Sequence, residues 1–290
     1  MKGNLKSVNY TVVIVSSGRA QILRDTVEDV LTQTVSPSEI ILSTIKQDDW
    51  VGQNGDDTRI RHIYGRRGIP VQLNAALDML SSDVEYFIVF DDDVALPTDY
   101  CERALSWLIE NLDIIALDGT DIRDGGINRF EADALLNKDR ILRPHTFKER
   151  DKLYGCNMCA RKIAFERERF DEKLEGYAWL FELDWAMRLK QYGRVGRAAD
   201  CRMVHLMAES GRAPGYKLGY MQVMNPYYLY RKGILPVREL FFPFIWKHIA
   251  INLYKTLSGD KKIDRWGRLR GNLLGLRDIF FRRPRRRAQD

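Results

Sequence analysis

Three consecutive carboxylates, Asp91-Asp92-Asp93, follow directly on the apolar run Phe87-Ile88-Val89-Phe90 and precede Pro97. Four β-forming residues in a row predict a strand buried on both faces, as in a parallel sheet covered by helices. Three acids at the rim of such a low-dielectric layer repel one another unless a cation joins them. Their hard oxygen ligands suit magnesium, manganese or calcium. Ligands of open α/β sheets collect at the carboxyl ends of strands, which is where these acids fall. The bland alternative is a solvated acidic turn. A second metal reading comes from Cys156-x-x-Cys159 with Cys201-x-x-x-His205, spacings that a four-ligand zinc site uses.

The elements around the acids alternate. Thr11-Val12-Val13-Ile14-Val15 reads as a buried strand ending in the small Ser16-Ser17-Gly18, and Ile22, Leu23, Val27, Val30 and Leu31 mark a helix face after it. Glu39 to Ser43 and Arg59 to Tyr64 give two more strands. A helix through Ala75, Leu77 and Leu80 leads to the acidic strand. A further helix (Tyr100 to Leu112) and strand (Asp113 to Leu117) continue the series. This alternation predicts an α/β protein with a Rossmann-like, doubly wound, mostly parallel sheet. Gly119 to Lys152 is polar and patternless, a candidate binding loop. Trp179 to Arg188 reads as a helix start. Beyond Pro236 the composition turns aromatic and then basic, so the expected organisation is a domain over 1–235 and a helical appendage over 236–290.

The chain has 290 residues, 45% hydrophobic and 30% charged, with a formal net charge of +6, an ordinary globular composition. The charge is segregated: Lys261 to Asp290 holds eleven Lys/Arg against three Asp, leaving the rest slightly acidic. A basic tail on a near-neutral body predicts a polyanionic partner, anionic lipid or nucleic acid. Trp266, Leu269, Leu273, Leu276 and Phe280 recur at helical spacing, and Phe241-Phe242-Pro243-Phe244-Ile245-Trp246 lies upstream. Aromatic plus basic favours a helix lying on an anionic membrane over nucleic acid, with packing on the core as the alternative. No stretch offers the roughly 20 apolar residues that span a bilayer. No signal peptide is visible, and four cysteines predict no disulfide scaffold. The expected compartment is the cytoplasm, at the inner face of the membrane if the tail binds it.

Taken in order, these pieces resemble a family 2 glycosyltransferase with a GT-A fold, of the kind that builds bacterial cell-surface polysaccharides. The first strand with Ser-Ser-Gly-Arg, Leu31-Thr32-Gln33-Thr34 and Pro37-Ser38-Glu39-Ile40-Ile41 resembles the family's nucleotide-binding start. Arg67 to Leu77 is similar to the helix before its acidic strand, and Phe90-Asp91-Asp92-Asp93 to its Asp-x-Asp segment. Gly155-Cys156-Asn157-Met158 with Arg161, then Phe170-Asp171-Glu172, resembles its Gly-x-Asn-Met and Phe-Asp-Glu stretches. Glu182 to Arg188 followed by Gly193-Arg194-Val195 is similar to its acceptor-side helix. Three positions depart. Ser43-Thr44 replaces the aspartate that reads uracil, Leu73 an arginine, and Phe181-Glu182 the usual Glu-Asp pair.

The resemblance implies an inverting transfer of sugar from a nucleotide-sugar donor to a glycan or lipid-linked glycan acceptor, with Mn2+ or Mg2+ as cofactor and no nucleic acid. It implies Asp93 as direct metal ligand with Asp91, and His205 near the diphosphate, a structural histidine being the alternative. Asp92 points to the other face of an extended segment and ranks lower. Ser16, Ser17, Arg19, Thr44, Asn74, Asp91, Asp92 and Arg161 fall at nucleotide-sugar-binding positions. Glu182 stands at the catalytic base position, with Asp184 second because Arg188, four residues on, offers it an ion pair. A non-catalytic nucleotide-sugar-binding homologue is the alternative, ahead of zinc or nucleic-acid binding.

Overall fold

The structure, a computed structural model, describes residues 8–50, 57–139, 144–207, 213–259 and 263–281. The arginine-rich Arg282 to Arg287 lies outside them. The described residues fall into two compact units. One comprises Met1–Arg67, Val71–Phe170 and Trp185–Gly211; the other comprises Gly68–Pro70, Asp171–Asp184 and Arg212–Asp290.

The first unit is built on a nine-stranded sheet. In chain order residues 8–207 form β1 (Tyr10–Val15), α1 (Ala20–Leu31), β2 (Glu39–Thr44), β3 (Ile60–Tyr64), α2 (Ile69–Leu77), β4 (Tyr86–Asp91), β5 (Val94–Ala95) and α3 (Tyr100–Glu110), with residues 69–70 and, further on, 181–184 falling in the second unit. There follow β6 (Ile114–Asp124), α4 (Arg129–Asp139), β7 (Phe147–Glu149), β8 (Asn157–Arg161), α5 (Lys162–Arg167), α6 (Phe181–Leu189) and β9 (Arg194–His205). The strand order is β3-β2-β1-β4-β8-β6-β9-β5, with β7 on β9. The half from β3 to β4 is parallel, as the strand–helix alternation predicts. At β8 the direction reverses, and β8 runs antiparallel to both β4 and β6. Residues of β1 and β4 are buried from end to end, Asp91 excepted, because helices cover both faces of the sheet. Val12, Ile14, Leu23, Val27, Ile88 and Phe90 centre the core, and Phe90 meets Tyr100 edge-on at 5.4 Å.

The stretch 119–152 corrects a sequence expectation. It is not an irregular loop: β6 runs on to Asp124, and α4 and β7 follow. Its pattern was illegible for a physical reason. The outer half of β6 is only half-buried or exposed, and α4 buries just Ala132 and Leu136, so neither needs an apolar repeat.

The second unit is helical beyond residue 213: α7 (Gly215–Arg231), the short α8 (Val237–Glu239), a wide turn over Leu240–Trp246, α9 (Lys247–Leu257) and α10 (Arg265–Phe280). Glycines let α7 and α10 touch backbone to backbone. A Cβ on Gly219 would stand 2.0 Å from the carbonyl oxygen of Arg268, and one on Gly271 2.2 Å from that of Tyr216. Gly267, Gly271 and Gly275, four residues apart in the sequence, lie along one side of α10 and permit this close approach. A buried amide cluster ties three helices together: Asn252 Nδ2 donates to Gln222 Oε1 (3.0 Å) and Asn272 Oδ1 (2.8 Å), and Asn272 Nδ2 donates to the Gly219 carbonyl (2.7 Å). Satisfied amides of this kind specify one register, since a slip would strand them without partners.

Gly271→Ala should therefore destabilise the protein by about 1–3 kcal/mol, because backbone atoms opposite cannot yield as a side chain would. Gly65→Ala, with nothing near its added methyl, should change stability by no more than about 0.5 kcal/mol. Urea unfolding of the two variants checks both, and equal midpoints would contradict the close crossing.

Candidate active site

The site starts where β1 and β4 end side by side, Val15 opposite Asp91. After Val15 the chain turns through Ser16-Ser17-Gly18, and Gly18 takes φ +68°, a left-handed conformation that favours glycine. The turn puts Ser16 and Arg19 against the residues that follow β4. Gln72 fixes it from below, its Nε2 donating to the carbonyls of Ser16 (3.0 Å) and Ser43 (2.9 Å).

Asp92 is fully buried. Ser16 Oγ donates to its Oδ2, Arg19 Nε donates to the same oxygen at 3.0 Å, and the guanidinium pairs with Oδ1. Thr26 Oγ1 donates to its carbonyl at 2.7 Å. Burial lifts the Asp92 carboxyl to about 7, opposed by Arg19 and Ser16 and helped by the charges of Asp93 and Asp91. Arg19 also lies 3.2 Å from Asp93 Oδ2, so one guanidinium faces two of the three acids.

The outward side of the cluster belongs to His205, the last residue of β9, held opposite Val94 by antiparallel pairing. Its backbone amide donates to Asp121 Oδ1 at 3.1 Å. Its Nε2 stands 3.2 Å from Asp93 Oδ1 and 3.6 Å from Asp91 Oδ2, and its Nδ1 3.1 Å from Asp124 Oδ1. Tyr154 Oη donates to Asp124 Oδ1 at 2.9 Å. Burial disfavours the imidazolium, but Asp124, Asp93 and Asp91 outweigh it and hold the pKa at about 10.

These separations bear on a metal. Two ligand atoms bonded at right angles to one octahedral cation of magnesium size stand about 3 Å apart. The atoms of Asp91, Asp93 and His205 lie within 4.8 Å of one another, close enough to converge on one cation with small side-chain rotations; those of Asp121, Asp124 and His205 meet the same limit. Among the described residues no cysteine joins either group. All four cysteines are free and buried, and burial drives the Cys156, Cys159 and Cys201 thiols well above their ordinary range. The zinc expectation is thereby corrected: His205 faces carboxylates, and the thiols are core.

The other sequence-predicted residues divide. Ser17 is half-buried beside Ser16. Thr44 ends β2, buried, donating to the Lys46 carbonyl at 2.8 Å. Asn74 clamps the backbone of Phe170, its Nδ2 donating to the carbonyl (3.0 Å) and its Oδ1 accepting from the amide (3.1 Å). Arg161 is not brought to the acids, which corrects the expectation that it binds the nucleotide. Because β8 is antiparallel to β4, moving from Asn157 to Arg161 leads away from Asp91, and Arg161 pairs with Tyr86 at the other end. There it donates to carbonyls of Leu108, Asn111 (3.3 Å) and Ile114 (2.9 Å), closing the carboxyl end of α3.

Glu182 and Asp184 belong to the second unit, both buried in the first turn of α6. Asp184 Oδ1 accepts from Lys232 Nζ at 2.6 Å, and the same ammonium pairs with Asp171 Oδ2 at 2.7 Å. Arg188 pairs with Glu168. Sequence reasoning missed Lys232, Asp121, Asp124, Tyr154 and Gln72. The two aspartates gave one faint signal, carboxylates three apart in the patternless stretch after Gly119.

A sheet of this order with carboxylates at the end of its central parallel strand is a GT-A fold. Residues 11–174 match the model of a family described as Glycosyl transferase family 2. With more than half its length matched, the chain belongs to glycosyl transferase family 2 and is a glycosyltransferase. No curated protein sequence matches it. Among solved structures it is similar to a mannosyltransferase from Pyrobaculum calidifontis in complex with GDP-Man and Mn2+. The TM-score is 0.54 at 13% identity, over 96% of this chain and 89% of that one. It is also similar to residues 1–349 of S. aureus TarS with UDP-GlcNAc, at TM-score 0.58 and 11% identity, over 92% and 80%. A third is glucosyl-3-phosphoglycerate synthase from Mycobacterium tuberculosis with Mn2+, UDP and glucosyl-3-phosphoglycerate, at 0.54 and 15%, over 82% and 86%.

Removing the guanidinium that faces Asp92 and Asp93 should be costly, since it leaves buried acids without that cation. Arg19→Met should lower stability by about 3 kcal/mol in urea unfolding, and Asp92→Asn in the same chain should recover part of the loss. Additive losses would mean that the two side chains do not interact.

Proposed function

We propose that this chain moves a sugar from a nucleoside-diphosphate sugar to a hydroxyl of a glycan or lipid-linked glycan, inverting the anomeric carbon, with Mn2+ or Mg2+ held by Asp91, Asp93 and His205. The observation that carries the reading is the convergence of those three side chains at the carboxyl end of β4. Family membership supports it, as do relatives solved with Mn2+ and GDP-Man or UDP. A divalent cation there would supply Lewis-acid stabilisation of the leaving diphosphate.

The chain's own residues take separate tasks. Asp91, the most exposed of the three acids, faces the donor. Arg19 and Ser16 hold Asp92 in place and so fix the backbone that carries Asp93. Ser17 and Thr44, at the ends of β1 and β2, are the donor-side positions, with Thr44 standing where the family's uracil-reading aspartate would be. Glu182 takes the proton of the acceptor hydroxyl, while Asp184 is occupied by the Lys232 ammonium. Donor binding and catalysis are assigned to residues 1–235 and the appendage to 236–290, which packs with α7 in one helical unit. Its aromatic and basic composition supports work on a lipid-linked acceptor at the inner membrane face, in cell-surface polysaccharide assembly.

Titration calorimetry with UDP and GDP should show binding that needs Mn2+ and drops at least about tenfold in Asp93→Ala, the loss expected when one of few metal ligands goes. Binding indifferent to chelator and to this substitution would sink the metal-dependent reading. Glu182→Gln keeps shape but cannot accept a proton, so turnover should fall by about 10²-fold or more with donor affinity little changed. Near-normal turnover would reassign the base; a parent chain that binds donors yet turns none over would be a binding homologue.

A further inference from the structure

Helix α9 is built inside out for a helix in water. Its one fully buried residue is polar, Asn252, held by Gln222 and Asn272. Ile249 packs inward against Val223, Leu240 and Ile245, but the helix's other apolar residues point outward. Trp246, just ahead of the helix, and Leu253, Tyr254 and Leu257 fall at i, i+7, i+8 and i+11, one stripe at about 100° per residue. They are 49%, 46%, 68% and 79% exposed. Lys247 and Lys255, both exposed, sit beside this stripe.

Helix α10 repeats the theme with more charge. Its inner side holds Leu269, Gly271, Asn272, Gly275 and Asp278. Outward stand Trp266, Leu273 and Phe280, seven residues apart, 58%, 55% and 75% exposed. Arg270 and Arg277 interrupt them at the same exposed positions of the wheel. In the turn before α9, Phe242 is 81% exposed and lines a shallow, mostly apolar hollow of about 640 Å³ with Val237, Phe241, Pro243 and Trp246, Arg238 and Glu239 completing it.

We infer that the outer faces of α9 and α10 are an in-plane docking surface for an anionic lipid bilayer, into whose interface Trp246, Leu253 and Leu257 insert. This rests on the membrane-associated reading above but places the anchor on two folded helices rather than on the arginine-rich end. Three observations favour lipid over a second copy of the chain. Trp and Tyr at the margin of an apolar stripe match the aromatic preference of the headgroup level. Long cationic side chains beside apolar ones keep their charge in the headgroups while the apolar residues go deeper. And even without the arginine-rich end, Val237 to Phe281 carries nine Lys/Arg against four acids in the sequence, which would repel a copy of itself and attract phosphate-bearing lipid. Among the described residues no helix is long and apolar enough to cross a membrane, so the geometry is one of lying on the surface.

The test is co-sedimentation of the full chain with phosphatidylcholine vesicles containing about one-third phosphatidylglycerol. The triple variant Trp246→Ser/Leu253→Ser/Leu257→Ser should bind at least about tenfold more weakly, while a chain ending at Phe281 keeps the salt-resistant part of the binding. Since all four native cysteines are free and buried, Leu253→Cys and, separately, Leu273→Cys can carry a polarity-sensitive dye, which serves even if the triple variant folds poorly. Both dyes should shift to the blue when vesicles are added. If the wild-type chain sediments but either dye keeps its aqueous spectrum, or if the triple variant binds as wild type does, the inference is overturned while membrane association stands. If the wild-type chain does not bind these vesicles, both fall. A concentration-dependent dimer that the triple variant abolishes, without vesicle binding, would make the surface a self-association interface and also overturn it.

Discussion

The repulsion among three adjacent carboxylates at the end of a buried strand is the constraint on which the first unit is organised. The strand cannot be moved outward, because β4 is packed between β1 and β8 and buried to its last residue but one. Positive charge has to be brought to the acids instead. Arg19 arrives from the turn after β1 and serves Asp92 and Asp93. His205 arrives from the end of β9 and serves Asp93, Asp91 and Asp124. The two cations approach from opposite sides and leave Asp91 the most exposed of the three. A divalent metal held by Asp91, Asp93 and His205 would take over His205's share of this balance, because a ligating imidazole must first release its proton.

Function is distributed unevenly over the carboxylates. Asp92 is buried and spent on structure: its hydrogen bonds with Ser16 and Arg19 and the Thr26 contact to its carbonyl set the path of the backbone. Asp93 sits between that scaffold and the open side, touching both cations. The alternation of an extended segment separates Asp92 from its neighbours, as the sequence implies, but its role as an anchor appears only once Arg19 is beside it. In the second unit Asp184 is likewise committed to a cation, the Lys232 ammonium at 2.6 Å.

The second unit obeys a different logic. Its three long helices are joined by glycine crossings and by a cluster of buried amides rather than by a large apolar core. A helix that spends its polar residue inward has apolar residues left over for its outside. The aromatic and leucine side chains of α9 and α10 are therefore a consequence of how these helices pack, and they are too many and too aligned for scattered surface hydrophobics.

The amino-acid sequence by itself determined the parallel half of the sheet, because β1, β2 and β4 are runs of β-branched and aromatic residues whose burial demands helices on both sides. It determined the acidic strand end, since no other packing of Phe87 to Phe90 would leave Asp91 at the rim. The family followed from the order of such pieces. What only the tertiary structure decided is where chain direction or distance intervenes. The reversal at β8 carries Arg161 away from the acids although it lies four residues after Asn157, which remains near them. The pairing of β9 with β5 delivers His205 across more than a hundred residues. Lys232 reaches Asp184 from the end of another helix. Local patterns encode burial and periodicity, both short-range properties of the chain. The partners of a charge are set by which strands become neighbours, and that is decided by the fold as a whole.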